Sequence, residues 1–359
     1  MPTAVQKDDH GIKPADYVAT ECFRRVCPTN NVSYCDVGDP NGIPIVMLCG
    51  SAMNSVLTGT LFHGYCKERG LRLIGPDKPG MGTAPGCALN SRVATFADAV
   101  EDILKHLNFA PVALVSISSG FIYGLYLLAH KQRIFGQHKP ALLALTPWIS
   151  FDDAPSMGFA TYAPDALVSA FPSIVSVFAS PAMQRMFSWS SGVSTGVGKG
   201  IRYVATSGAP VLVDPGRASV VRASQAAIQV AVGKSTRSPG MSDEYMLCLR
   251  RGPPGFWGYK DYPEVLSTIA QAAGHREQSV VLHLYCGDAD GLVPRKAQTR
   301  FFRFFEASNL TLQENVARTF AFQEMSFVGG GHNDVATFET CWDDILAFLA
   351  TATQATASS

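Results

Sequence analysis

With 359 residues, 47% of them hydrophobic and 16% charged, the chain can bury a substantial core and is too apolar to be disordered. Lys and Arg number 29 against 29 Asp and Glu, and no basic block stands out, which argues against nucleic acid or an anionic membrane surface as a partner. The nine cysteines are scattered, odd in number and free of any C-x-x-C, so neither a zinc site nor a disulfide framework is indicated and a reducing compartment is favoured.

Residues 1 to about 16 are polar and lack the apolar core of a signal peptide, which fits a cytoplasmic location. Tyr17 to Asp36 holds two alternating runs broken at Pro28-Thr29-Asn30-Asn31, predicting a β-hairpin. Ile43 to Cys49 reads as a buried strand ending at Gly50-Ser51-Ala52, and Leu71 to Gly75 as the next, running into the turn Pro76-Asp77-Lys78-Pro79-Gly80-Met81-Gly82. A helix capped by Thr95 follows, with Asp98 completing a capping box and Phe96, Ala99, Val100, Ile103, Leu104 and Leu107 on one face. Further strands are predicted before Ser118 and at Ala141 to Leu145. Such alternation means a doubly wound, mostly parallel sheet covered on both faces, an α/β fold.

From Phe151 to about Ala273 the rhythm changes to Gly, Ser, Pro and aromatics, which reads as an inserted, mainly helical lid. Its greasiest run, Ala166 to Met183, is interrupted by Pro172 and Pro181 and suits a buried or cap helix better than a membrane span. Alternation resumes with a strand at Val280 to Tyr285, a helix around Lys296 to Glu306, a strand around Thr319 to Phe327, and an amphipathic helix carrying Phe338, Trp342, Ile345, Leu346 and Leu349. The expected organisation is therefore a core in two parts, 1–150 and 274–350, around a lid at 151–273, with 351–359 as a loose tail.

The chemistry centres on Val112-Ala113-Leu114-Val115-Ser116-Ile117-Ser118-Ser119-Gly120-Phe121. A strand ends and a helix begins with almost no loop, around small-x-Ser-x-small. That turn strains its central residue, so the residues two positions either side must be small, as Ser116 and Gly120 are. Ser118 then stands at the C-terminal edge of the sheet. A serine hydroxyl needs a base beside it, and the base needs an orienting acid. Two later strand ends supply candidates: Gly287-Asp288-Ala289-Asp290-Gly291-Leu292-Val293-Pro294 and Gly329-Gly330-Gly331-His332.

The order Ser, Asp, His, with these segments, resembles the α/β-hydrolases, in particular lid-bearing esterases and epoxide-hydrolase-like members, from about Ser33 to Phe348. The resemblance implies Ser118 as nucleophile, Asp290 of G-x-x-D-x-x-V-P as acid and His332 as base, with Pro76 to Gly82 similar to the family's D-R-P-G-x-G turn. It implies the backbone amides of Ser51 and Ser119 as oxyanion donors, and no cofactor or metal. The family's usual His-Gly is Cys49-Gly50 here, and a serine replaces the aspartate nucleophile of epoxide hydrolases, which argues against epoxide opening by an alkyl-enzyme.

Asp288 is a rival acid, and Asp152 or Asp153 occupies the other place the fold uses for one. His63-Gly64 mimics an oxyanion motif but falls within a predicted helix. Gly233-Lys234-Ser235-Thr236 resembles a P-loop tail, yet no strand precedes it. Cys49 and Cys286 read as buried small hydrophobes. Trp148 and Trp257 are candidates for the substrate pocket. The expected activity is hydrolysis of an ester or thioester of a mainly apolar small molecule. Alternatives are a non-hydrolytic relative (lyase, acyltransferase or cyclase) acting on a natural-product intermediate, or a silent ligand receptor on the same fold.

Overall fold

Eight strands form one sheet in the computed structural model, which describes residues 23–51, 53–149, 164, 238, 240–274, 279–305, 319–328, 330–332, 335–337 and 339–357. The first half of the chain supplies β1 (Arg24–Val26), β2 (Ser33–Gly38), β3 (Ile43–Leu48), α1 (Ser55–Glu68), β4 (Leu71–Pro76), α2 (Arg92–His106), β5 (Ala113–Ile117), α3 (Gly120–His130) and β6 (Ala141–Leu145). The second half supplies α4 (Met241–Cys248), α5 (Tyr262–Gly274), β7 (Val280–Gly287), α6 (Arg295–Phe302), β8 (Phe320–Phe327) and α7 (Glu339–Ala357). The sheet order is β1-β2-β4-β3-β5-β6-β7-β8; β1 and β2 form the predicted hairpin, β2 also pairs antiparallel with β4, and every later pairing is parallel.

Strand alternation divides the core cleanly. Val46, Leu48, Leu114, Leu142, Leu282 and Leu284 face the layer of α2, α3, α5 and α6. Their neighbours Ile45, Met47, Val115, Leu143 and Val281 face α1 and α7, where Phe62, Trp342, Ile345 and Leu349 are fully buried. Covering both faces leaves the strand ends as the accessible edge, where groups on several loops can converge.

Three boundaries differ from expectation. α2 begins at Arg92 rather than at a Thr95 cap, continuing a 3-10 turn at Leu89–Ser91, because Arg92 is anchored by tertiary contacts described below. The supposed loose tail is helical to Ala357, and the hydroxyls of Thr351 and Thr353 bond back to the carbonyls of Ala347 and Leu349. α5, read as part of the lid, packs Val265, Leu266, Ile269 and Ala273 into the core beside α3. The rest of the expected lid up to residue 237, with Asp152, Asp153 and Gly233 to Thr236, lies outside the described residues apart from residue 164. Among the described residues no helix is long and apolar enough to cross a membrane.

The turn after β4 is built around a buried carboxylate. Asp77 accepts from the Ser33 hydroxyl, and from the Ser55 amide at 2.5 Å and hydroxyl at 2.7 Å, at the N-terminus of α1. A side chain at Gly82 (φ +55°) would meet that carboxylate at 1.9 Å, which explains the last glycine of the motif.

Candidate active site

β5 ends at Ile117, and Ser118 takes φ +51°, a left-handed conformation that is costly for a residue with a Cβ. Its amide donates to Leu145 O at 3.1 Å, and its carbonyl accepts from Phe121 N at 3.0 Å and Trp148 N at 3.1 Å, so strand, helix and the β6 loop all hold the strained turn. A Cβ at Gly120 would lie 2.0 Å from Leu48 O, so only glycine lets α3 start this close to β3. Ser116 fills the other small position, its hydroxyl buried without a hydrogen-bond partner among the described residues.

The structure brings the three sequence-nominated side chains together. His332 Nε2 lies 2.8 Å from Ser118 Oγ, and His332 Nδ1 lies 2.8 Å from Asp290 Oδ2. The other oxygen of Asp290 accepts from the amides of Leu292 and Val293, both at 2.8 Å. Asp290 and His332 are buried, Asp288 is exposed, and Ser118 is half-buried. Gln298 from α6 braces the Asp290 loop through the carbonyls of Gly287 and Val293, at 3.2 and 2.9 Å. Such a dyad can hold an imidazole in one tautomer and take a proton from the serine.

Ser51 and Ser119, nominated for their amides, sit side by side, with Ser51 Oγ donating to Ser119 Oγ at 3.0 Å. Gly50 packs against Ser118, its absent Cβ being 3.5 Å from Ser118 Cβ. Cys49 turns away into the α1 layer, its sulfur 2.9 Å from Thr58 Oγ1, and burial pushes the thiol up to about 11. His63 lies within α1, its Nδ1 accepting from Gly38 N at 3.3 Å.

The two tryptophans part company. Trp148 meets the His332 ring edge-on, centroids 6.1 Å apart, and donates its indole N–H to Cys248 O at 3.0 Å. Trp257 belongs to a buried aromatic group with Phe256, Tyr259 and Tyr262 and donates to Leu247 O at 2.8 Å. Both indoles thus satisfy carbonyls at the C-terminal end of α4.

Sequence reasoning assigned no role to four buried groups beside Ser119. Glu244 from α4 receives Lys78 Nζ at 2.6 Å and Arg92 Nε at 2.9 Å, and also the Tyr123 hydroxyl. Burial by itself would raise the Glu244 carboxyl, but Lys78 and Arg92 together hold it below the ordinary range. Lys78 stood in the recognised turn, whereas Arg92 and Glu244 lie far apart in sequence and carry no local signal. Among the described residues no cluster of His, Cys, Asp or Glu is placed to hold a metal ion.

No protein-family model and no curated protein sequence matches the chain. Solved structures match over nearly all of it. A carboxylesterase structure from the ammonia-oxidizing thaumarchaeon Nitrososphaera gargenis is 17% identical, covers 92% of this chain and 99% of its own, and has a TM-score of 0.54. An esterase from Rhodococcus sp. ECU1013 is 16% identical, with coverage of 92% and 99% and a TM-score of 0.53. A bromoperoxidase from Bacillus anthracis is 15% identical, with coverage of 89% and 95% and a TM-score of 0.51. The sheet order, the strained serine between β5 and α3, and these likenesses together give the chain the α/β-hydrolase fold.

Proposed function

We propose that the chain is a serine hydrolase that cleaves a carboxylic ester or thioester of a mainly apolar small molecule through an acyl-enzyme. The observation that carries this reading is the chain of contacts from Ser118 Oγ to His332 Nε2 and from His332 Nδ1 to Asp290 Oδ2, each 2.8 Å, at a strained turn. His332 takes the serine proton as Ser118 attacks the carbonyl, Asp290 holds the imidazolium, and His332 returns the proton to the leaving group. The amides of Ser51 and Ser119 receive the oxyanion, and water then releases the acyl group. The esterase character of two of the matched structures supports the same reaction class. Cys49, which stands where the family's histidine would and so leaves room for non-hydrolytic chemistry, has its sulfur engaged with Thr58, and that observation supports hydrolysis.

The test is labelling by a fluorophosphonate together with turnover of p-nitrophenyl esters of increasing acyl length. The wild type is expected to label at Ser118 and to prefer apolar acyl groups. Ser118→Ala is expected to lose the label and at least ~10³-fold in kcat. Labelling at another serine, or undiminished turnover by Ser118→Ala, would overturn the proposal.

A further inference from the structure

We infer that Lys78 and Glu244 are positioning residues for the oxyanion side of this site, an inference that rests on the serine hydrolase reading. Lys78, Arg92 and Glu244 come from the turn after β4, the start of α2 and α4, and none is more than 2% exposed. Burying charges is costly, and apolar side chains can clamp a helix to a core just as firmly. A buried ionic cluster therefore calls for a reason beyond holding α4 in place.

The bonds of Lys78 supply that reason. Its three ammonium protons face three acceptors: Glu244 Oε2 at 2.6 Å, Gly50 O at 3.0 Å and Ser119 Oγ at 3.3 Å. The Gly50 carbonyl is the other half of the peptide whose N–H belongs to Ser51. That peptide is trans, so its carbonyl and N–H point in opposite directions. Holding the carbonyl on a charged donor fixes the peptide plane and aims the Ser51 N–H away from Lys78; it also polarises the peptide, strengthening the N–H as a donor. The third proton grips Ser119, whose amide is the second proposed donor, and the Ser51 hydroxyl ties the two residues to each other at 3.0 Å. Glu244 keeps the ammonium in place, and is itself held by Arg92 and Tyr123. Arg92 is met at the rim by Asp243 as well, 3.4 Å away and 39% exposed.

The decisive variant is Lys78→Met, which keeps the volume and leaves Glu244 paired with Arg92. Rates are measured on p-nitrophenyl butyrate per fluorophosphonate-titrated serine, alongside inhibition by a trifluoromethyl ketone that forms a tetrahedral adduct. The expected result is a kcat lower by ~10–100-fold, less than or comparable to the loss of a whole donor, with KM changed by less than about threefold. The ketone should bind more weakly by the same factor as kcat/KM falls, and Lys78→Arg should recover most of both. A lower melting temperature with kcat per titrated serine and ketone affinity unchanged would overturn the inference, leaving a structural clamp only. Should Lys78→Met fail to fold, Glu244→Gln reads the same two quantities: a matched loss in kcat/KM and ketone affinity supports the inference, and no loss overturns it. A wild type without esterase turnover or Ser118 labelling would instead bring down the hydrolase reading, and this inference with it.

Discussion

Asp290 faces His332 with one carboxylate oxygen, Oδ2 to Nδ1 at 2.8 Å, and gives the other to the amides of Leu292 and Val293. Those two amides fix which oxygen points where. In Asp290→Asn the amides keep the side-chain oxygen, so the new NH₂ group must face Nδ1. That forces the imidazole proton onto Nε2, where it blocks acceptance of the serine proton. The expected outcome is a folded protein with kcat reduced by ~10³–10⁴. Asp288→Asn, on an exposed side chain, should stay within about threefold. Steady-state kinetics on one ester settle the pair, and equal losses at both positions would reject Asp290 as the acid.

Cys49→Ala tests whether the departure from the family's histidine matters. The thiol packs in the α1 layer against Thr58 and, raised to about 11 by burial, stays protonated at neutral pH. Activity should fall tenfold or less, and stability by ~1 kcal/mol for the small cavity and the lost contact. Abolished turnover with intact labelling of Ser118 would show that the thiol takes part in the reaction.

The strained turn makes two opposite stability predictions. Ser116→Ala removes a buried hydroxyl that has no partner among the described residues and should stabilise the protein by ~1 kcal/mol. Gly120→Ala drives a methyl to 2.0 Å from Leu48 O and should cost ~2–4 kcal/mol or prevent folding. Thermal or urea unfolding reads both, and a neutral Gly120→Ala would mean that α3 does not approach β3 this closely.

Glu101 gives a pH dependence with a definite sign. Lys131 at 2.7 Å and Lys105 at 2.9 Å lower its carboxyl to about 2. A carboxyl depressed in the folded state contributes stability above its unfolded value of about 4.3, lost as pH falls toward the folded one. The stability difference between wild type and Glu101→Gln should therefore be flat above about pH 5 and vanish near pH 2. Its plateau should be on the order of 1 kcal/mol, because Lys105 is 67% exposed and water screens the pair. Urea unfolding across that range is the measurement, and a difference that grows toward acid would reject the ion pairs as its source.

What was legible in the sequence was local. Ser118, Asp290 and His332 each sit at the end of an apolar run, so strand placement alone carried them to one edge of the sheet. Gly120 was legible because a tight strand-to-helix turn demands a small residue there. Glu244 was not, because nothing in Met241 to Cys248 distinguishes it from any helical glutamate; its meaning arises only when the fold brings it to Lys78 and Arg92. The same long-range tie moved the start of α2 from the capping signal at Thr95 to Arg92, tertiary anchoring outweighing a local cap. The helix through Thr351 and Thr353 was missed for a related reason: their polarity suggested a tail, while their hydroxyls bond back to carbonyls of the preceding turn.

The glycine at the end of β7 has a consequence for how such a site can vary. A Cβ at Gly287 would lie 2.0 Å from Gly330 O, and the two loops are laced by Asp288 N to Phe327 O at 3.2 Å and Ala289 N to Gly330 O at 3.1 Å. The loops of Asp290 and His332 therefore travel as one piece of backbone, a cassette whose internal spacing is set by contacts between β7 and β8. Sequence change between β6 and β7 can then accumulate without disturbing the backbone spacing of the Asp290 and His332 loops.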